Sequence, residues 1–511
     1  MIKFCLNGRW IEEADLTPDT TVLRYLRTRK SLTGTKEGCG SGDCGACSVL
    51  LGEKQAGKWV YKAINGCITF LAQLHGKSVI TIDALADGRS LHPAQQAMVD
   101  YHGSQCGFCT PGIIMSLAAL HQNVEGEQPS EHQILDALSG NLCRCTGYRP
   151  IIDAARNMNE YPDVANVGIW QPEEQLSGEI HNAGTEAERR TRNLRKKKEQ
   201  SWVVENEAQL KDLLAEHPDA RMVAGATDLA LEVTQFNKSI NKLVSIGAIE
   251  SLKTIEVTDD KVTFGGAATY AEIEETLTTH YPEFSALLDR LGSRQVRNNG
   301  TLGGNVGNAS PIGDTPPVLI ALGAELELVS KHTHRWLPID QFFLDYKQTA
   351  LQSGEYIRAI RVPRLQANQT LKVFKISKRI EDDISAVLAA FVVTSEDGII
   401  KDVRTGFGGM AGIPKAACNV ERALVGKPLS EVSFMNAANE LPNDFTPLSD
   451  VRATAEYRIQ VAKGLMRKCA LELLEPEKIS RIEQVHSAAL NPNDVLTAVS
   501  GSDKQGEAYH A

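Results

Sequence analysis

What this 511-residue sequence lacks excludes several classes of protein. No stretch approaches the roughly eighteen consecutive apolar residues of a membrane-spanning helix, so no membrane role is expected. The opening "MIKFCLNGRW" has none of the charged-then-apolar layout of a secretory leader, and a cytoplasmic location is expected. Positive charge is in short supply: 54 Lys and Arg stand against 64 Asp and Glu, a formal net charge of −10. That balance argues against nucleic acid as a partner. The one basic run, "RRTRNLRKKK" at 189–198, carries no interleaved aromatics and reads as a solvated linker. Cysteine is rare beyond residue 150. Nine of the 11 cysteines precede it, and eight of those, Cys39, Cys44, Cys47, Cys67, Cys106, Cys109, Cys143 and Cys145, fall in two clusters. In a reducing compartment such clustering points to metal or redox chemistry before disulfides. Cys5, Cys418 and Cys469 stand alone and are expected to be small core residues.

What is present is a soluble multidomain chain, with 42% hydrophobic and 23% charged residues and length for about three domains. Residues 1–80 read as a β-rich unit. Ile2, Phe4 and Leu6 alternate up to Asn7-Gly8, a hairpin signal, and "TTVLRYLRTR" then has helical spacing. Residues 83–158 change period, and four helical segments bounded by Pro, Ser or Gly make a compact helical unit. Residues 159–200 lose periodicity and read as a linker. Strands and helices alternate over 201–360, a further α+β segment covers 361–480, and 481–511 is a polar tail.

The first four cysteines follow C-x4-C-x2-C-x19-C, the spacing of plant-type [2Fe–2S] ferredoxins. Gly38, Gly40, Gly42 and Gly45 let a loop wrap closely around a cluster and turn its amides toward the sulfurs. A four-cysteine zinc site usually comes as two short pairs, which fits this three-plus-one layout poorly. The second set, C-x2-C-x33-C-x-C, taken alone also suits zinc. Each of its pairs lies near a predicted helix N-terminus, whose partial positive charge favours thiolates and an anionic cluster. Downstream, Ala224-Gly225-Ala226-Thr227 leads from an apolar stretch into a helix, and Gly300, Gly303, Gly304 and Gly307 surround Thr301 and Asn305. Free amides in such turns suit a pyrophosphate; ordinary turn-making glycine explains either turn alone better, and two such turns in one domain downstream of two clusters favour the pyrophosphate. Neither is a G-x-G-x-x-G, so a Rossmann fold is not indicated. No acid–base triad stands out, and His75, His92 and His102 read as structural or exposed.

The stretches "GCGSGDCGACSV", "CGFCTPG", "NLCRCTGYRPI", "AGATDLAL", "RNNGTLGGNVGNASPIGDTPP" and "FKISKRIEDDIS" occur in the order seen in xanthine dehydrogenases of the molybdenum hydroxylase family. Over residues 1–480 the chain resembles the small, iron–sulfur/FAD subunit of the bacterial two-subunit form. The resemblance implies a multidomain α+β fold: a β-grasp ferredoxin-like domain, a four-helix iron–sulfur domain, a non-Rossmann α+β FAD-binding domain and a C-terminal α+β subdomain. It implies that Cys39, Cys44, Cys47 and Cys67 hold a [2Fe–2S] cluster toward the flavin. Cys106, Cys109, Cys143 and Cys145 would hold a second, toward molybdenum. Flavin contacts carry over to Met222, Val223, Ala224, Gly225, Ala226, Thr227, Asp228 and Leu229, to Thr301, Leu302, Gly303, Gly304 and Asn305, and to Asp314 and Lys375. Leu291 stands where the family often has an aromatic residue, so that contact is not carried over. The acidic 381–383 loop resembles one beside the isoalloxazine ring, and a solvated loop is the plainer alternative. The resemblance further implies a molybdopterin-bearing large chain as partner, NAD+ as acceptor and a dimer of heterodimers. The expected function is electron transfer during hydroxylation of xanthine or hypoxanthine. Its alternatives are the same role in an aldehyde or N-heterocycle hydroxylase, and a zinc-stabilised interaction protein.

Overall fold

The computed structural model describes residues 1–481 apart from Asp15, Ala56, Asp87, Arg89, Glu125, 164–166, 173–199, Glu381 and Ile479. Most of the 159–200 linker, its basic run and the tail beyond residue 481 lie outside the described residues.

Asn7 and Gly8 take φ of 52° and 80°, which closes a two-residue turn between antiparallel β1 (Ile2–Leu6) and β2 (Arg9–Glu13). β3 (Ser48–Gln55) pairs with β4 (Lys58–Asn65) and with β5 (Ser78–Ile80). β5 runs parallel to β1, giving a five-stranded sheet in the order β2-β1-β5-β3-β4. "VLL" at 49–51 is apolar at successive positions because both faces of this sheet are covered. Val49 and Leu51 pack under the helix Val22–Arg29, whose Val22, Tyr25 and Leu26 line one stripe. Leu50, Tyr61, Ala63 and Ile80 face the other way, into the core of the four helices Pro93–Asp100, Thr110–Asn123, Glu131–Leu138 and Arg149–Asn157. The ferredoxin-like sheet and the helical unit therefore share one core. Thr110–Asn123, buried continuously from Gly112 to His121, is its axis.

The expected linker begins by packing rather than by leaving. Ile169 is buried, its carbonyl accepts the Tyr61 hydroxyl at 3.0 Å, and Trp170 stands edge-on to the Tyr61 ring.

Beyond it, β6 (Gln200–Val203), β7 (Arg221–Val223) and β8 (Lys242–Ser245) form a small parallel sheet in the order β6-β8-β7. An antiparallel sheet follows: β9 (Ile255–Val257), β10 (Lys261–Gly265), β11 (Glu325–Val329), β12 (His334–Pro338) and β15 (Tyr356–Pro363), with a short hairpin, β13 (Phe343–Asp345) and β14 (Gln348–Thr349), beside it. A three-strand parallel sheet is too small for a doubly wound dinucleotide fold, as the glycine spacing predicts. The last unit is the meander β16 (Gln369–Ile376), β17 (Val387–Glu396) and β18 (Ile399–Gly408), packed under the helix Ala455–Leu474. Cys5 and Cys469 are fully buried there and in the first sheet, as expected. Cys418 is not: it is exposed at the first position of the helix Cys418–Leu424. Helical spacing turns Val420 and Leu424 inward and leaves Cys418 on the outer side.

Candidate functional site

The loop 38–48 is shaped by its glycines. Gly40, Gly42 and Gly45 have φ of 67°, 86° and 65°, and a Cβ on Gly38 would lie 2.7 Å from Cys44 Sγ. The Ser41 amide donates to Cys39 Sγ at 3.3 Å, and Asn65 Nδ2 ties the loop down through Gly42 O at 2.8 Å. Cys67, from the turn after β4, completes the set: Cys39 meets both Cys44 and Cys67, and Cys67 meets Cys47. Hydrogen bonds from Cys44 and Cys67 hold Cys39 far below the ordinary thiol range, and the same bonds push Cys44 and Cys67 up. Cys47 and Cys67 are buried.

The second set is also brought together. Cys109 meets Cys143, and Cys106 meets Cys145. Cys109 is the N-cap residue of Thr110–Asn123, and Tyr148, three residues after Cys145, is the N-cap of Arg149–Asn157 with φ 66°. Burial, then the contact with Cys143, pushes the Cys109 thiol up to about 12. Burial also raises Cys143, but hydrogen bonds from Thr146 outweigh it and hold this thiol below its usual value. Among the described residues no three His, Cys, Asp or Glu side chains converge on one point, as a single-ion site requires. The helical set pairs two and two, a layout that suits a binuclear cluster over which four thiolates are shared. The two loops touch: the Leu142 amide donates to Cys44 O at 3.0 Å, and Asn141 Nδ2 donates to Gly45 O at 3.3 Å.

The two turns of flavin candidates pack against each other. Gly225 backs onto the second turn, since a Cβ there would lie 2.1 Å from Asn299 O, and Ala226 is held at φ 66°. Met222 and Val223 end β7, and Val223 packs in one core with Cys47 and Cys67. Leu229 starts the next helix behind the N-cap Asp228, while Thr227 and Asp228 reach solvent. In the other turn Thr301 caps the helix Leu302–Asn308 through the Gly304 amide at 3.0 Å. Leu302 and Gly303 are buried, and Gly304 and Asn305 face outward. Asn305 Oδ1 accepts from Thr315 Oγ1 at 2.6 Å, beside the buried Asp314. Asp314 in turn takes Lys375 Nζ at 2.7 Å and Ser385 Oγ at 2.6 Å. The open side is thus a cradle of small residues and amides with one buried ion pair at its end, which fits a flavin nucleotide.

The family models now become informative. One described as the FAD binding domain in molybdopterin dehydrogenase matches residues 197–365. A [2Fe-2S] binding domain matches 81–156, a 2Fe-2S iron-sulfur cluster binding domain 5–71, and a CO dehydrogenase flavoprotein C-terminal domain 372–473. Together the four models match the chain from residue 5 to residue 473. The chain is homologous to the N-terminal part of the xanthine dehydrogenases and carries two iron–sulfur domains and an FAD-binding domain. The xanthine dehydrogenase/oxidase of Rattus norvegicus is 33% identical over 456 residues, covering 80% of this chain and 34% of the relative. The xanthine dehydrogenase of Emericella nidulans is 31% identical over 567 residues, covering 100% and 41%. The chain therefore spans about a third to two fifths of the length of these curated relatives. Reconstituted CO dehydrogenase from Oligotropha carboxidovorans superposes with a TM-score of 0.50 at 26% identity, over 53% of this chain and 95% of that one. Electron transfer through [2Fe–2S] and FAD is the function that these matched domains support.

Sequence reasoning gave no role to the polar residues that join these parts: Gln295, two residues ahead of the quoted glycine stretch, and Asn298, Asn299, Asn141 and Ser385, which lie inside quoted stretches. It also left the acidic loop between a surface and a flavin role. Burial, then the nearby Asp43 carboxylate, pushes Asp382 up to about 6, which sets this loop against the first cysteine loop. Among the described residues no helix is long and apolar enough to cross a membrane.

Proposed function

We propose that this chain is the electron-transfer subunit of a xanthine-oxidising molybdenum hydroxylase, working with a molybdopterin-bearing large chain and reducing NAD+. On this reading residues 1–80 and 83–158 each hold one [2Fe–2S] cluster, 201–360 holds FAD and 361–480 buttresses it. The observation that carries the reading is continuity: the two cysteine loops are in backbone contact, and Val223 of the flavin turn shares a core with Cys47 and Cys67. When bound, the clusters supply one-electron carriers and FAD supplies the exchange between single electrons and a hydride.

The residues of the chain hold, insulate and tune. Eight thiolates are the cluster ligands: Cys39, Cys44, Cys47 and Cys67 in one set, Cys106, Cys109, Cys143 and Cys145 in the other. The Ser41 amide places positive charge on Cys39 Sγ, and the Thr146 hydroxyl does the same for Cys143. The turns at 222–229 and 301–305 receive the FAD pyrophosphate, and the Asp314–Lys375 pair closes the flavin end. Phe108 and Leu142 are exposed beside Cys106 and Cys145, and this apolar rim is the face for the large chain, in a dimer of heterodimers.

Expressed alone and shown to lack molybdenum, the chain is expected to oxidise NADH with an artificial dye and to leave xanthine untouched. Adding the large chain restores xanthine-dependent NAD+ reduction, and Cys143→Ser abolishes that coupled reaction while sparing NADH–dye activity. Hydroxylation of xanthine by the chain alone would overturn the proposal.

A further inference from the structure

The four-residue helix Arg294–Arg297 belongs to neither cysteine motif nor to the glycine turn, yet three units meet on it. Gln295 is 1% exposed, and its Nε2 shares two hydrogens among three acceptors, Ser116 Oγ at 2.8 Å, Ala137 O at 2.9 Å and Asn141 Oδ1 at 3.1 Å. Asn141 passes the connection on to Gly45 O, between Cys44 and Cys47. From the same stretch, Asn298 Nδ2 donates to Ala63 O at 2.8 Å and Asn299 Nδ2 to Thr69 Oγ1 at 3.0 Å, on the ferredoxin-like unit. Gly300 and Thr301 follow directly.

Space at this junction is as tightly set as the hydrogen bonds. A Cβ on Gly140 would lie 2.2 Å from Gln295 Oε1, one on Gly112 would lie 2.1 Å from Gly45 O, and one on Gly45 would lie 2.3 Å from Gly140 O. An apolar side chain of the same length at 295 would leave Asn141 Oδ1 and Ala137 O buried without this donor. A longer one would strike Gly140.

We propose that Gln295 is a positioning residue: through Gln295–Asn141–Gly45 it fixes the flavin turn relative to both cysteine loops, and so sets the spacing between the three cofactor sites. The inference rests on the proposed electron-transfer reading for what occupies those sites. The chain of hydrogen bonds belongs to the polypeptide itself.

The test compares Gln295→Leu with Ser116→Ala, which removes one acceptor and leaves the Asn141 link intact. Both proteins are expected to hold two clusters and FAD at wild-type stoichiometry. In Gln295→Leu, electron transfer from photoreduced flavin to the clusters slows about tenfold or more. The paramagnetic-resonance line shape from the coupling of the two reduced clusters also changes. Ser116→Ala leaves both as in wild type, which a mere loss of packing at this helix would not do. A wild-type rate and line shape in Gln295→Leu would overturn the proposal. If that variant does not accumulate, hydrogen exchange on the wild-type chain decides. The amides of Leu142 and Ser48 must then exchange in one cooperative unit with those of Asn299 and Gly300, and independent exchange refutes the joint. A chain without clusters or flavin would refute the electron-transfer reading instead, and the exchange measurement would still judge this one.

Discussion

Cys109 and Cys145 stand in different pairs of the helical set, so a serine at either removes one thiolate from the same candidate cluster. Each substitution is expected to erase one of two reduced-state paramagnetic-resonance signals and to leave flavin absorbance unchanged. Two full signals in both variants would refute the ligand assignment. Gly304 gives a cleaner test of the flavin turn than Gly303 does. Gly303 is packed 2.3 Å, by its missing Cβ, from Gly266 O, so any side chain there damages the core. Gly304 is open, and only its own cap hydroxyl on Thr301 lies within 3 Å of an added Cβ. Gly304→Val should cost about 1 kcal/mol of capping and yield protein with both clusters but little FAD. Stoichiometric FAD in that variant would exclude this turn as its site. At this scale the sequence was readable where chemistry dictates spacing, as in the two cysteine sets. It was unreadable where burial decides: nothing local separates the buried Gln295 from any surface glutamine.

Among the elements, the short helix Arg294–Arg297 carries one full charge into the interior. Arg297 is 2% exposed and meets Asp136 of the helical unit, Asp289 at 3.1 Å and Glu274 at 3.7 Å. Removing one partner of a buried ion pair destabilises because the other charge stays behind. Asp136→Ala should cost about 2 kcal/mol, less than a fully buried pair, since Asp136 is partly exposed and two carboxylates remain. Denaturant unfolding checks this, and an unchanged midpoint would contradict it. The helix Ala455–Leu474 carries a pH-dependent counterpart. Burial raises the Glu472 carboxyl, but hydrogen bonds from Arg481 and Ser480, with the charges of Arg481 and Lys372, outweigh it and hold it at about 2. Between that value and the ordinary carboxylate range the unfolded chain binds more protons than the folded one. This contribution is therefore whole above about pH 4.5 and drains away as pH falls toward 2. Glu472→Gln is expected to lose roughly 2–3 kcal/mol at pH 7, a deficit that shrinks on acidification and vanishes near pH 2. A deficit independent of pH would refute the assignment. Helices and hairpins were legible because periodicity and Asn7-Gly8 are local signals. The four-residue helix was not, because its stability comes from three neighbouring units rather than from its own sequence.

For the whole molecule, the ferredoxin-like sheet and the helical unit cannot be separate beads, since Leu50, Tyr61 and Ile80 fill the same core as Ile113 and Leu117. The order of units along the chain was legible from changes of period. Their assembly was not, because it rests on buried polar contacts between residues more than a hundred positions apart, such as Asn299 to Thr69 and Gln73 to Ala224. The account makes one chain the holder of three redox groups. Anaerobic reductive titration of the purified chain, followed by visible absorption, tests that most directly. About four electron equivalents should enter per chain, two for a flavin and one for each [2Fe–2S] cluster, with both flavin and iron–sulfur bands bleaching. A colourless zinc-bearing chain that takes up no electrons, or a flavoprotein saturated by two, would contradict it.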